Sequence, residues 1–186
     1  MKALRFAALL LPVAIAGCIV STGQFNIDYE LGDLFVNGFS VDREPVDLNS
    51  NSDYTDHKAD LDGLTDMGLT GTATNNSGGP IDVEVWITRG DTNHTTPAQV
   101  RASAQRLWGP FSLATGETKR ITWDESAKLF SAEGKNVLFN ELVGDGAFTL
   151  YAISGTAPSA TAARLLGESD LTITDARLIM VVEAKN

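Results

Sequence analysis

Ile81-Asp82-Val83-Glu84-Val85-Trp86-Ile87-Thr88 alternates apolar and other side chains through four cycles. Successive side chains on a strand point to opposite faces, so an apolar period of two marks a half-buried strand. Ile81, Val83, Val85 and Ile87 form the expected inward set, and Trp86 falls on the other face. Just upstream, Gly68-Leu69-Thr70-Gly71-Thr72-Ala73-Thr74 also alternates and is rich in threonine, whose branched Cβ suits a strand. Between the two lies Asn75-Asn76-Ser77-Gly78-Gly79-Pro80, a dense cluster of turn formers. The pattern predicts a hairpin of the two strands.

Further strands follow outward from this pair. Trp108 to Leu113 and Glu117 to Trp123 read as a second hairpin, bent at Ala114-Thr115-Gly116. Ala147 to Ser154 is another strand, and Leu171 to Ala184 a long last one. In the latter, Leu171 and Ile173 share one parity, while Leu178, Met180 and Val182 share the other. A bulge near Asp175-Ala176 brings both sets to one core. Phe25 to Leu31 and Phe39 to Leu48 are also read as strands, the second at an edge because Pro45 has no N–H to give a ladder. Short helices interrupt the pattern. Thr96-Pro97-Ala98-Gln99 is a capping box that starts a helix running to about Arg106. Asp124 is expected to cap a turn through Phe130, Asn136 to Val143 a helix ended by Gly144, and Ser52 to Leu61 a helix with Asp53 and Asp56 near its start.

Seven or eight short strands with turn-rich connections define an all-β, antiparallel β-sandwich with short helical insertions. Gly71-Thr72-Ala73-Thr74-Asn75, the alternating strand, and then Phe111-Ser112-Leu113-Ala114-Thr115-Gly116-Glu117-Thr118 together resemble bacterial immunoglobulin-like domains. The resemblance spans about residues 66–123, implies an immunoglobulin-like sandwich and transfers no site residue. The cysteine pair of antibody domains is absent, since Cys18 is the single cysteine.

The first residues, MKALRFAALLLPVAIAGC, carry Lys2 and Arg5 ahead of an apolar run from Phe6 to Ala16. That is the layout of a secretory signal, too short to span a bilayer comfortably. Ile15-Ala16-Gly17-Cys18 resembles the bacterial lipobox: an aliphatic residue, two small residues, then cysteine. The resemblance implies removal of residues 1–17 and lipidation of Cys18. Residue Ile19, where an Asp would signal inner-membrane retention in diderm bacteria, then favours the outer membrane. The expected organisation is a signal at 1–17, a lipidated tether at 18–24 and one sandwich domain at 25–186. From Ile19 to Gln24 the tether reaches at most about 20 Å, so the domain sits close to the lipid.

The chain has 186 residues, 43 % hydrophobic and 20 % charged, with a formal charge of −10. Lys2 and Arg5 leave with the signal, so 12 basic residues face 24 acidic ones in the mature chain, a net −12. That balance argues against nucleic acid as a partner, because phosphate binding needs clustered Lys and Arg. It also means that any hold on an anionic leaflet comes from acyl chains rather than charge. One cysteine excludes an internal disulfide and a thiolate zinc cluster.

The polar stretch Asp47-Leu48-Asn49-Ser50-Asn51-Ser52-Asp53 places Asp or Asn at every second position, as calcium loops do. It lacks a glycine at the sixth position, which is Ser52, and has Lys58 where a bidentate glutamate would stand. A solvated acidic connection, continuing through Asp56, Asp60, Asp62 and Asp66, is the plainer reading. His57 and His94, the two histidines, have no metal-ligand spacing, and there is no G-x-S-x-G elbow and no phosphate loop. Trp86 is either an exposed contact residue or covered by the 96–106 segment, the latter favoured; Trp108 and Trp123 are expected to flank the core. The resulting expectation has no catalytic, metal or cofactor residue. It is a membrane-anchored, non-catalytic binding or scaffolding module of the cell envelope, tied to the bilayer through acylated Cys18 and acting on another envelope protein. A carrier or sensor for a small ligand in an apolar pocket is the alternative, and an unrecognised hydrolase the third.

Overall fold

The alternating stretch is strand β4 (Ile81–Arg89), and its four inward side chains are buried to 5 % exposure or less. A computed structural model describes residues 23–38, 40–155 and 169–185. Within these, the other strands are β1 (Gln24–Val36), β2 (Asp42–Asp47), β3 (Leu61–Asn75), β5 (Gln105–Leu113), β6 (Thr118–Ile121), β7 (Ala147–Ser154) and β8 (Leu171–Ala184). The α-helices are α1 (Ser52–Thr55), α2 (Pro97–Ser103), α3 (Trp123–Ser126) and α4 (Ala132–Val143).

Four antiparallel pairs, β1·β8, β2·β7, β3·β6 and β4·β5, nest inside one another along the chain. They amount to one long ribbon rolled up until β8 meets β3 and β7 meets β4. The result is two four-stranded sheets, ordered β1-β8-β3-β6 and β2-β7-β4-β5. The expected antiparallel sandwich with short helical insertions is thus present. Its connectivity is the wrapped order of a jelly roll rather than the ABED and CFG sheets of an immunoglobulin constant domain.

Rolling the ribbon overturns both predicted hairpins. β3 and β4 lie in different sheets, as do β5 and β6, so residues 75–80 and 114–117 are crossovers between sheets. Turn formers mark a reversal of the chain but not which sheet receives the next strand. Here β3 takes β8 as its partner along nearly its whole length, from Leu61↔Ala184 to Asn75↔Leu171, which leaves β4 to the opposite sheet.

The bulge in β8 is where parity placed it. Asp175 has φ +52°, and the register skips from Thr70↔Arg177 to Thr72↔Thr174. Leu171, Ile173, Ala176, Leu178, Met180 and Val182 all reach the core. β2 is an edge strand, as Pro45 required, but spans only 42–47; Phe39 lies outside the described residues. Helix limits differ from expectation for local reasons. α2 stops at Ser103 because Gln105 already pairs with Ile87. Asp124 sits inside α3, which starts after Thr122. α4 starts four residues early, where the Ser131 side chain accepts from Gly134 N. The 52–61 segment breaks into α1 and a 3-10 turn at Lys58–Asp60, and Leu61 opens β3.

The two ends of the sandwich differ. The described chain enters at one end, where Gly23 O accepts from Ala184 N at 2.7 Å. Helical segments close this end: Tyr54 Oη donates to Leu142 O at 2.8 Å, and Lys185 N to Asp60 O at 2.5 Å. At the far end lie the crossovers 75–80 and 114–117, with Asn76 N donating to Asp170 O at 2.8 Å. Between them the interior is filled by Trp108, Phe148, Ile27, Met67, Leu69, Ile87, Leu107 and Leu113, each under 2 % exposed.

Candidate functional site

The outward side of β4 and β7 carries a cluster of charged, aromatic and hydroxyl side chains. Glu84 and Trp86 project from β4 beside Tyr151 and Ile153 of β7, and α2 lies across them. Its capping box forms as read from the sequence: Thr96 Oγ1 accepts from Gln99 N, and Gln99 Oε1 from Thr96 N. Val100, Tyr151 and Ile153 pack into a second small core with Val41, Trp86 and Ala104. Trp86 is therefore half-buried against a cluster to which α2 contributes Val100, which agrees with the favoured reading in part. Its Nε1 donates to Glu84 Oε2 at 3.1 Å. Arg106 lies 3.4 Å from Glu84 Oε1 and Arg101 4.0 Å from Oε2, while Arg101 also donates to Ser154 O at 2.5 Å. A carboxylate at 9 % exposure is held here by one indole and two guanidinium groups. Burial at such a point is tolerable only with those partners.

His94 lies at the edge of the same cover, with its ring centroid 5.4 Å from that of Tyr151 and its Nε2 2.9 Å from Ser103 Oγ. Ser103 Oγ also lies 2.8 Å from Gln99 O, the carbonyl four residues back, so its hydroxyl is shared between the His94 ring and the backbone of α2. Tyr151 Oη donates to Thr92 O at 2.7 Å. The arrangement fastens the 91–96 loop and the last turn of α2 onto β7.

In the acidic 47–66 segment, Asp47, Asn51 and Asp66 each accept from a nearby backbone N–H. Asp47 accepts from Asn49 N and Nδ2, hydrogen bonds that hold its carboxyl below the usual range. Asn51 caps α1 and donates to Asp28 O at 2.9 Å. Among the described residues, no three His, Cys, Asp or Glu side chains converge as a metal site. His57 packs against Phe25 with the ring centroids 4.3 Å apart and the planes tilted by 37°, away from the contacts of His94. Burial raises Glu141, with Asp145 adding to the shift and Arg89 opposing it. Burial also raises Glu44 and Tyr29, helped by Asp42 in the first case and by Glu44 in the second.

Two buried polar hubs escaped sequence reading. Asn75 Nδ2 donates to Gly79 O at 2.9 Å and Ala114 O at 2.8 Å, with Leu113 O at 3.4 Å, while its Oδ1 accepts from Ser77 N and Oγ. One side chain thus ties both crossovers together. Ser126 Oγ accepts from Leu69 N at 2.8 Å and from Trp108 Nε1 at 3.0 Å, sealing β3 where β6 has ended. Trp108 is fully buried, and Trp123 packs so closely on Gly68 that a Cβ there would lie 2.4 Å from its ring. The Glu84 cluster had a signal: once α2 is placed by the outward side of β4 and β5 beside it, Arg101 and Arg106 fall near the one glutamate of β4. Asn75 had only its position beside a turn.

At the entry end, Thr55, Lys58, Ala59, Leu61, Val143 and Lys185 line an open groove of about 530 Å3. Cys18 lies outside the described residues. Fold and contacts together define a jelly-roll β-sandwich whose Asn75 hub ties backbone carbonyls and whose Glu84 cluster joins side chain to side chain. No protein-family model matches the chain, and no curated protein matches it. Among solved structures, it is similar to a chain of the T13 IBDV viral particle, at 12 % identity and a TM-score of 0.38, covering 96 % of this chain and 36 % of that one. No helix of the described residues is long and apolar enough to cross a membrane.

Proposed function

We propose that this chain is a cell-envelope lipoprotein, cleaved after Gly17 and anchored through acylated Cys18, whose domain is a non-catalytic binding or scaffolding module. The observation that carries the reading is the position of the chain entry. Gly23 pairs with Ala184 at the helix-closed end, five residues after Cys18, a span of at most about 17 Å. A bilayer-held Cys18 sets that end against the lipid and directs the crossovers 75–80 and 114–117 away from it, towards partners. Acyl chains supply the hold, each buried methylene contributing about 0.8 kcal/mol, while a negative domain adds no attraction to an anionic leaflet. Ile19 favours sorting to the outer membrane in a diderm organism.

The filled interior supports a surface-acting module over a carrier, which needs an apolar cavity of several hundred Å3. In situ crosslinking of wild-type cells, with Cys18→Ser as control, tests the proposal. Protein partners captured from washed membranes and lost in the variant are expected. Well-localised protein without reproducible partners counts against scaffolding, and wild-type protein in the soluble fraction counts against the anchor.

A further inference from the structure

We infer that Asn93 is the acceptor of an N-linked glycan, attached after export of the chain by a transferase that draws on a polyprenyl diphosphate-linked oligosaccharide. The sequence holds two Asn-x-Ser/Thr triplets, Asn75-Asn76-Ser77 and Asn93-His94-Thr95, and such a triplet is an acceptor only on a surface loop. The fold separates the two. Asn75 is 1 % exposed, with its amide on the carbonyls of both crossovers. Asn93 is exposed and lies between β4 and α2, outside any helix or strand.

The loop around Asn93 presents the acceptor residues on alternate positions. Thr92 Oγ1 lies 2.7 Å from Tyr151 Oη, and the His94 ring centroid lies 5.4 Å from that of Tyr151. These two half-buried residues hold the loop to β7, while Asp91, Asn93 and Thr95 are exposed. The amide to be modified and the hydroxyl two residues on are therefore both open to an enzyme. Thr95 Oγ1 donates to Gln99 Oε1 at 3.3 Å, a long hydrogen bond that another partner replaces at little cost. Asp91, paired with Arg43 yet with a side chain 78 % exposed, adds a carboxylate that a cationic subsite can read. In the transfer, Asn93 Nδ2 attacks the anomeric carbon of the donor sugar. The C–N bond forms as the bond from that carbon to the phosphate oxygen breaks. Polyprenyl diphosphate leaves with the electron pair, and an Nδ2 proton passes to a basic group of the transferase. The inference rests on the reading that the chain is exported.

The test is the mass of the tryptic peptide 90–101, cut after Arg89 and Arg101, from full-length protein purified from the membranes of its own cells. Electron-transfer fragmentation places any added sugar. A glycan on Asn93, lost in Thr95→Ala and kept in Thr95→Ser, is the expected result, with the peptide that holds Asn75 unmodified. An unmodified Asn93, a glycan that persists in Thr95→Ala, or sugar on Thr92, Thr95 or Thr96 instead overturns the inference. The N-terminal peptide of the same digest shows whether residues 1–17 have been removed, so failure of the export reading is seen separately.

Discussion

Asn75 shows how one side chain holds a wrapped sandwich together. Its amide meets the carbonyls of both crossovers, and at 1 % exposure no bulk water replaces it. Asn75→Ala strands those carbonyls, and each unsatisfied buried group costs about 1–3 kcal/mol. A loss of roughly 2–4 kcal/mol in urea unfolding is expected; a change below about 0.5 kcal/mol would remove Asn75 from its role as a tie. Glu141 gives a second, opposite case. Burial raises its carboxyl, so the folded state holds the proton more tightly than the unfolded one. Stability from this group is therefore present at acidic pH and falls as pH rises from the ordinary carboxyl value through the raised one. Glu141→Gln removes that loss. The variant is expected to gain on wild type in melting temperature between pH 4 and pH 7, despite losing Arg89 at 3.4 Å. A difference that shrinks with rising pH would contradict the assignment.

The elements show what a sequence makes legible. Strand existence followed from alternation, and β8 is the clearest example. Its two parities demanded a bulge at 175–176, and Asp175 supplies it at φ +52° with its N–H on Asp33 Oδ1 at 3.1 Å. Asp175→Val places a branched Cβ at positive φ, and a loss of about 2 kcal/mol is expected, whereas Asp175→Gly should stay within about 0.5 kcal/mol. Equal losses in the two variants would point to the carboxylate instead of the backbone. The capping box of α2 was equally legible because its three residues act locally. Thr96→Ala should cost about 1 kcal/mol and raise acrylamide quenching of Trp86 as the cover loosens. Pairing was not legible. Asn75 to Pro80 and Ala114 to Gly116 have the residues of hairpin turns, yet each hands the chain to the other sheet, a choice made by the distant β8 and β7. The Glu84 cluster was hidden for the same reason: its partners lie 17 and 22 residues away, Arg101 on α2 and Arg106 on β5 beside β4, and the placement of both had first to be known.

For the molecule as a whole, the two ends differ in build. The entry end is closed by α1, α4 and the Lys58–Asp60 turn, and the far end presents crossovers pinned by Asn75. Three of the four edge strands carry features that oppose strand addition. Pro45 interrupts β2, Lys119 turns its ammonium back over Phe111 at 5.0 Å on β6, and on β1 Asp42 Oδ2 takes Phe35 N at 2.6 Å. Strand addition at these three edges is thus discouraged. An acyl-held domain of net charge −12 should also stay with washed membranes in 1 M salt, since screening weakens charge contacts and leaves hydrophobic ones. The most direct measurement is the mass of the N-terminal peptide from the membrane-extracted protein. The expected result is a peptide that begins at Cys18 and carries diacylglycerol on its sulfur. A peptide retaining residues before Cys18, or one with a free Cys18 thiol, would contradict the anchored reading.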